Sequence, residues 1–208
     1  MRIAYEYSHL NGLEYLMIHK PGLLDEIKAC IAAIDPNQFT KISKDKARLG
    51  MVLYNQVAIN KEFERILFPQ NWESVKTYYY VSNDIDTIRD TIDIRDKVEQ
   101  KRAIEESGHE AYSTNNQVDF VKDRVAVEVQ FGKYFSVAYD LHVKHTFFYL
   151  RDDIDVGIEI IPTKAMCLKM DTGVAWFENE VANVIREGRN NPSVPIYMIG
   201  IEPDEILI

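Results

Sequence analysis

The chain has 208 residues, of which 46% are hydrophobic and 27% are charged, and its formal net charge is −9. This length and balance are typical of a globular protein with a substantial core, and we predict one domain over residues 1–208. No apolar run approaches the ~20 residues that cross a bilayer, and the acidic balance argues against nucleic-acid binding without excluding a local basic cleft.

The first predicted elements are two helices. Apolar residues recur at helical spacing after Pro21–Gly22, and Asp35–Pro36 ends that helix. The polar, turn-rich residues 36–50 follow. A second helix is predicted over Asn60–Phe68, with Asn60 as its N-cap.

The middle of the chain is predicted to contain a strand, a charged helix and a hairpin. Tyr78–Val81 is rich in aromatic residues that favour a strand. The helix covers Asp96–Tyr112 and has a thin apolar face that includes Val98. The hairpin around Asp119 comes next, followed by a helix over residues 136–148.

The last third predicts two buried strands around a helix. A strand over Val156–Ile161 stops at Pro162, and the chain ends with a strand over Ile196–Ile201. Between them, apolar residues recur at helical spacing over Val174–Glu187. This mixed order predicts an α/β fold, with a mixed central sheet flanked by helices.

Residues 117–134 contain the strongest chemical signal. Asp119 precedes a short polar turn, and the β-branched run Val125–Val129 follows it. Side chains alternate along a strand, so Glu128 and Gln130 share the face opposite the valines, and Asp119 can reach them across the hairpin. Two carboxylates and an amide match the oxygen ligands that Mg²⁺ prefers. The simpler interpretation is an exposed acid on an edge strand beside a turn aspartate.

Characteristic phrases occur along nearly the whole chain. They are QVDFVKDRVAVEVQFGKY, VAYDLHVKH and IDVGIEIIPTK, with YSHLNGLEY near the start and NVIREGR and PIYMIGIEP near the end. In these phrases the sequence resembles the BglII/BstYI group of type II restriction endonucleases. That group is a branch of the PD-(D/E)xK nuclease superfamily in which glutamine replaces the usual lysine. Here that position is Gln130.

The resemblance implies a restriction-endonuclease-like core and a role for each hairpin residue. Asp119 and Glu128 would hold Mg²⁺, for which Mn²⁺ can substitute, and the carbonyl of Val129 would add another oxygen. Gln130 neither titrates nor carries charge, so it would orient the attacking water while the metal activates it. We expect Asp119→Asn or Glu128→Gln to abolish cleavage and Gln130→Glu to be milder.

Two loops are expected to read the DNA sequence. The resemblance places Gly132 and Lys133 in a segment that contacts bases or nearby phosphates, and a lysine can hydrogen-bond guanine. Residues 169–173 match a second base-reading loop, but Asp171 and Thr172 stand where the family favours serine and asparagine. The identity of the outer base pair in the DNA recognition sequence is therefore left open. Capping of the following helix is an equal alternative for these two residues.

The resemblance also implies the partners of the protein. Restriction enzymes of this group act as homodimers on double-stranded DNA palindromes with a central GATC, and they leave 5′ overhangs. The candidate sites are RGATCY and AGATCT, and a cognate DNA methyltransferase is expected in the same cell. Two alternatives remain: a repair or non-site-specific nuclease of the same fold, and a non-catalytic DNA-binding protein.

The remaining motifs favour no other chemistry. A phosphate-binding GxxxxGK[ST] loop and a GxSxG motif are both absent. His142 and His145 lie three residues apart on a predicted helix, but a zinc site needs a third ligand. Cys30 and Cys167 lie in apolar contexts and are expected to be buried thiols in a reducing cytoplasm.

Overall fold

The computed structural model describes residues 1–207, which form a mixed α/β fold. The strands in this range are Arg2–His9 (β1), Thr40–Ile42 (β2), Val52–Tyr54 (β3), Glu73–Ser82 (β4), Ala111–Lys122 (β5), Val125–Val129 (β6), Val156–Pro162 (β7) and Ile196–Glu202 (β8). The α-helices are Gly12–His19 (α1), Pro21–Ala33 (α2), Gln56–Leu67 (α3), Ile85–Thr91 (α4), Lys97–Glu106 (α5), Tyr134–Tyr139 (α6), Thr146–Leu150 (α7), Lys164–Cys167 (α8) and Phe177–Glu187 (α9). Between α6 and α7 the chain is π-helical over Asp140–His145.

The order and directions of the strands confirm the predicted mixed sheet. Within residues 1–207, six strands pair in the order β1-β8-β7-β6-β5-β4, and β2 pairs with β3 in a separate hairpin. β6, β7 and β8 are parallel, whereas β1 and β5 run antiparallel to their neighbours β8 and β6. The chain divides into two compact units, one of Met1–Glu73 with the residues from Asp119 onward, the other of Ser74–Val118. The single domain over residues 1–208 stays a prediction.

In the first unit, both faces of the parallel strands are covered. All residues of β7 and β8 are buried, as expected for near-continuous apolar strands between helical layers. One face packs Val127, Ile158 and Ile199 with apolar side chains of α1, α2 and α3. The other face packs Ile196 and Met198 with side chains of α6 and α9. Glu128 alternates with Val127, so it points to the α6 side of the sheet.

The second unit consists of Ser74–Val118 and contains α4, α5 and parts of two strands. Gln100 joins its elements, because its side chain accepts from Tyr80 N at 2.8 Å and donates to Thr91 O at 3.2 Å. The predicted helix over 96–112 is too long. α5 ends at Glu106, and Gly108, with φ of 85°, turns the chain into β5.

Other predicted elements agree with the structure except at their ends. The helix after Pro21 is confirmed as α2. The predicted helix over 60–68 begins earlier, because Asn55 is its N-cap and accepts from Ala58 N at 3.3 Å, while Asn60 lies inside α3. α9 begins at Phe177, three residues after the predicted start. Within residues 1–207, the helices fall short of the length and hydropathy that a membrane span requires.

Candidate active site

The strand that carries Glu128 lies inside the sheet. β6 pairs antiparallel with β5 and parallel with β7. All of its residues are buried, and Glu128 is only 1% exposed. The interpretation of Glu128 as an exposed acid on an edge strand is therefore wrong, because β6 has a neighbour on each side and a helix over its polar face.

The hairpin brings Asp119 back to Glu128. Two turn residues with positive φ connect β5 to β6, a geometry that matches the twist of a tight hairpin. Phe120 pairs with Val127, and continuing this register by one pair sets Asp119 opposite Glu128 on the same face. The carboxylate of Asp119 accepts a hydrogen bond from Val129 N at 3.3 Å. The two carboxylates therefore meet beside the backbone of Val129.

Gln130 follows β6, and both ends of its amide are held. Its Nε2 donates to Asp140 Oδ2 at 2.5 Å, and its Oε1 accepts from Gly132 N at 2.7 Å. Gly132 permits this close approach, since a Cβ there would lie 2.4 Å from Gln130 Oε1. One lone pair of Oε1 remains for another donor.

The π-helical segment adds two groups that the sequence did not assign to the site. Lys144 Nζ lies 2.7 Å from Asp140 Oδ1 and 3.1 Å from Glu128 Oε2. Asp140 and Lys144 have the four-residue spacing of an intrahelical ion pair, which was the available signal. Nothing in that spacing indicates that they face β6. π-helical turns are frequently found at functional sites.

Burial controls the charge of this cluster. Removal from water, with repulsion from Asp119 and Asp140, raises the pKa of Glu128 well above its usual value, and Lys144 offsets this only in part. Burial likewise raises the pKa of Asp140. Burial tends to lower the pKa of Lys144, but the attraction of Glu128 and Asp140 outweighs it and raises that pKa. The cluster has more carboxyl groups than cations and can accommodate further positive charge.

A second buried pair lies next to this cluster. Glu159 is paired with Glu128 across the parallel strands, and its Oε2 lies 3.2 Å from His145 Nε2. Burial raises the pKa of Glu159 well above its ordinary value. Burial and nearby Lys144 lower the pKa of His145 to about 3. Both shifts favour the neutral form of the two side chains in this contact. Gly157 leaves room for it, since a Cβ there would lie 2.6 Å from the imidazole of His145.

The two segments predicted to read bases lie together. Lys133 Nζ donates to Thr172 O at 2.7 Å, and Lys133 also forms an isolated backbone bridge with Val174. Tyr134 N donates to Gly173 O at 2.9 Å. The segment after Gln130 and the loop over residues 169–173 therefore form one surface.

The side chains of Asp171 and Thr172 contact the region of β2 and β3. Asp171 Oδ2 lies 2.7 Å from Lys41 Nζ, and Thr172 Oγ1 donates to Asp45 Oδ2 at 3.1 Å. Neither residue caps a helix, because α9 begins only at Phe177. The capping alternative is therefore wrong.

Two solved structures have this fold. One is the crystal structure of restriction endonuclease BglII complexed with a DNA 16-mer, with 19% sequence identity, a TM-score of 0.66, and coverage of 98% of this chain and 79% of that chain. The other is free BglII, with 18% identity, a TM-score of 0.61, and coverage of 98% and 81%. A search of curated protein sequences gives no significant match.

The family comparison is more specific. The profile described as restriction endonuclease BglII/BglIII matches residues 4–201. The chain belongs to this family. As a BglII-family member it is a type II site-specific deoxyribonuclease, which confirms the resemblance and the predicted restriction-endonuclease-like core. Restriction endonucleases of this kind generally use divalent metal ions, so the acidic cluster can be tested as an ion site.

The cluster fits a hard divalent ion in this BglII-family chain. Glu128 Oε1 is buried, and it finds no hydrogen-bond partner among residues 1–207. A cation would satisfy that oxygen, which otherwise bears an uncompensated desolvation cost. Within residues 1–207, no three His, Cys, Asp or Glu side chains converge as a metal cage. Small hard ions that keep several waters need only one or two carboxylates.

The two histidines considered for zinc have separate partners. His142 Nε2 lies 2.9 Å from Glu187, whereas His145 contacts Glu159. They therefore do not converge on one position.

Proposed function

We propose that this BglII-family protein uses Mg²⁺ to hydrolyse double-stranded DNA at a palindrome with a central GATC, leaving 5′ overhangs. The observation that carries the proposal is the carboxylate of Glu128. It is buried beside Asp119 at the end of β6, and one of its oxygens has no donor within the described part of the chain. Mn²⁺ is expected to substitute for Mg²⁺, since it also accepts carboxylate and water ligands.

Each hairpin residue has a distinct part in this proposal. Asp119 and Glu128 would hold the ion through carboxylate oxygens, and the carbonyl of Val129 would add a third protein ligand. A bound divalent ion lowers the pKa of water and offsets charge that develops on the phosphate. Gln130 would orient the attacking water through the lone pair of Oε1 that Gly132 N does not use.

Base recognition is assigned to the surface formed by Gly132, Lys133 and the loop over residues 169–173. Lys133 would donate to guanine, and its present acceptor, Thr172 O, is a backbone oxygen that DNA can replace. Asp171 can accept from cytosine N4, and Thr172 can contact several base edges. These two side chains would decide whether the outer base pair is fixed, as in AGATCT, or degenerate, as in RGATCY.

A palindromic site requires two copies of the chain, one for each strand. α6 supports this proposal because Tyr134 and Phe135 are both exposed there, and exposed aromatic side chains are enriched at protein interfaces. Sedimentation of the purified protein should give twice the mass of one chain. A cognate DNA methyltransferase would have to protect the GATC sites of the same cell. The free buried cysteines, Cys30 and Cys167, fit a reducing cytoplasm.

One assay separates this proposal from its alternatives. Purified protein is incubated with unmethylated phage DNA in Mg²⁺, and a parallel sample contains EDTA. Discrete fragments only with Mg²⁺ support the proposal. A smear would instead indicate a non-site-specific nuclease, and intact DNA in both samples a non-catalytic DNA-binding protein. Sequencing the fragment ends gives the recognition site and the overhang.

A further inference from the structure

The helical lysine Lys144 lies at the centre of the acidic cluster. Its ammonium contacts Glu128 Oε2 at 3.1 Å and Asp140 Oδ1 at 2.7 Å, and its side chain is only 19% exposed. Asp140 in turn accepts from Gln130 Nε2. Lys144 therefore connects the proposed metal ligand with the residue that holds the glutamine of the site.

The two oxygens of Glu128 are in different situations. Oε2 accepts from Lys144, while Oε1 is buried and finds no partner among the described residues. A carboxylate whose one oxygen is fixed by a charged donor keeps a defined orientation, because charge-assisted hydrogen bonds are short and strong. Such outer contacts orient metal ligands and affect how well the metal is held.

The charges of the cluster also favour a bound divalent ion. Asp119, Glu128 and Asp140 would contribute three negative charges when ionised, and Lys144 contributes one positive charge. A divalent ion would bring the total to zero. Gln130 supplies no charge at the end of β6, so the ammonium of this cluster comes from a helix instead of from the strand.

We propose that Lys144 is a positioning residue of the active site, which fixes Oε2 of Glu128 so that Oε1 is left to take the divalent ion. The inference rests on the proposed nuclease function. Lys144 acts through Glu128 and Asp140, and it needs no contact with DNA to do so.

The test measures Mn²⁺ binding by isothermal titration calorimetry without DNA, together with cleavage of phage DNA. Lys144→Met should lower cleavage by about 10–100-fold, the usual range for loss of an outer contact at a metal site, whereas its Mn²⁺ affinity combines a loss from the missing donor with a gain from the removed positive charge. Lys144→Arg keeps the charge and should recover most of the cleavage. Lys122→Met is the matched control, because Lys122 also pairs with a glutamate, Glu26, at 2.8 Å and its side chain is 18% exposed. That control should retain wild-type Mn²⁺ affinity.

A second pair of variants covers the case in which Lys144→Met does not fold. Asp140→Asn removes one charge, and adding Lys144→Met to it restores the charge balance while Glu128 still lacks its donor. The double variant has the same net charge in the cluster as the wild type and should bind Mn²⁺ about 10–100-fold more weakly than the wild type. Equal affinity of the double variant and the wild type would overturn the inference. If the wild-type chain itself neither binds Mn²⁺ nor cleaves DNA, the proposed function fails, and the inference fails with it.

Discussion

Glu128 and Asp171 are both carboxylates that contact a lysine, but their surroundings differ. Glu128 is buried under a helix, and Lys144 beside it is mostly covered. The Asp171–Lys41 pair lies at the surface, with side chains 44% and 32% exposed. Water screens the outer pair, so it contributes about 0–1 kcal/mol, whereas breaking a buried pair costs roughly 3–5 kcal/mol.

The proposed catalytic cluster and the proposed base-reading surface therefore differ in how strongly their side chains are held. The proposed catalytic carboxylates lie on two paired strands of the sheet, where neighbouring elements pack around them. The side chains proposed to read bases lie on loops, and their present partners are other side chains and a backbone oxygen that DNA could replace at little cost. Substitutions in the two regions should therefore have effects of very different size.

The largest effect is a loss of cleavage, and it is expected from substitutions in the acidic cluster. Asp119→Asn or Glu128→Gln should lower the cleavage rate by roughly three orders of magnitude or more, because a bound ion supplies several kcal/mol of transition-state stabilisation. Specific DNA binding, measured by gel shift in Ca²⁺, should persist. Glu64→Gln, at an exposed position on α3, is the control and should cleave normally. Near wild-type cleavage by either cluster variant in Mg²⁺ would contradict the assignment.

The next effect is the pH dependence of stability that arises from the titration of Glu159. Its pKa in the folded protein is raised, so the folded state keeps a proton that the unfolded state loses above about pH 4.5. Its contribution to stability is present below that pH and is lost as the pH rises towards the folded pKa. The free energy of unfolding should fall by up to about 1.4 kcal/mol per pH unit in that window.

Glu159→Gln should remove this slope, and chemical unfolding at several pH values measures it. Well above pH 6.5, His145 is neutral in both states, so its own titration adds little to the difference between the two proteins. Identical pH dependence of the two unfolding curves would mean that Glu159 is ionised in the folded protein.

A smaller effect is expected at Gln130 and Asp140. Gln130→Glu removes the donor to Asp140 and places two carboxylates against each other, which should reduce stability by about 1–3 kcal/mol. Adding Asp140→Asn supplies a new amide donor, so the double variant should recover most of the loss. Thermal and chemical unfolding of the four proteins measures this coupling. Additive losses would show that the two side chains do not interact.

The hairpin part of the site was predictable from the sequence because it is local. Alternation along Val125–Val129 puts Glu128 and Gln130 on one face, and the tight turn returns Asp119 to them. The errors at element ends are also local. Asn60 resembles a cap, but Asn55 precedes the apolar positions of α3 by the right distance. The predicted charged helix passed Gly108, whose positive φ ends it.

The helical part of the site was not predictable because it depends on tertiary packing. A helix over residues 136–148 was expected and is found as α6, the π-helical segment and α7. Its sequence does not reveal that Asp140 and Lys144 face β6. Both residues lie in the π-helical segment, and no residue pattern in that stretch signals that segment. The burial of Glu159 likewise follows from its position between β6 and β8.

The smallest effect on the folded protein is expected at Asp171. Asp171→Asn and Lys41→Met each break the same exposed pair, so each should change the free energy of unfolding by less than about 1 kcal/mol. Their effects on recognition should differ. If Asp171 accepts from a cytosine of the outer base pair, Asp171→Asn should change the discrimination between AGATCT and GGATCC by about 1–3 kcal/mol. The ratio of the cleavage rates at the two sites measures this discrimination. Lys41→Met should leave that ratio near wild type, because it frees Asp171 without removing it. Equal shifts in both variants would mean that the pair only shapes the loop and that Asp171 reads no base.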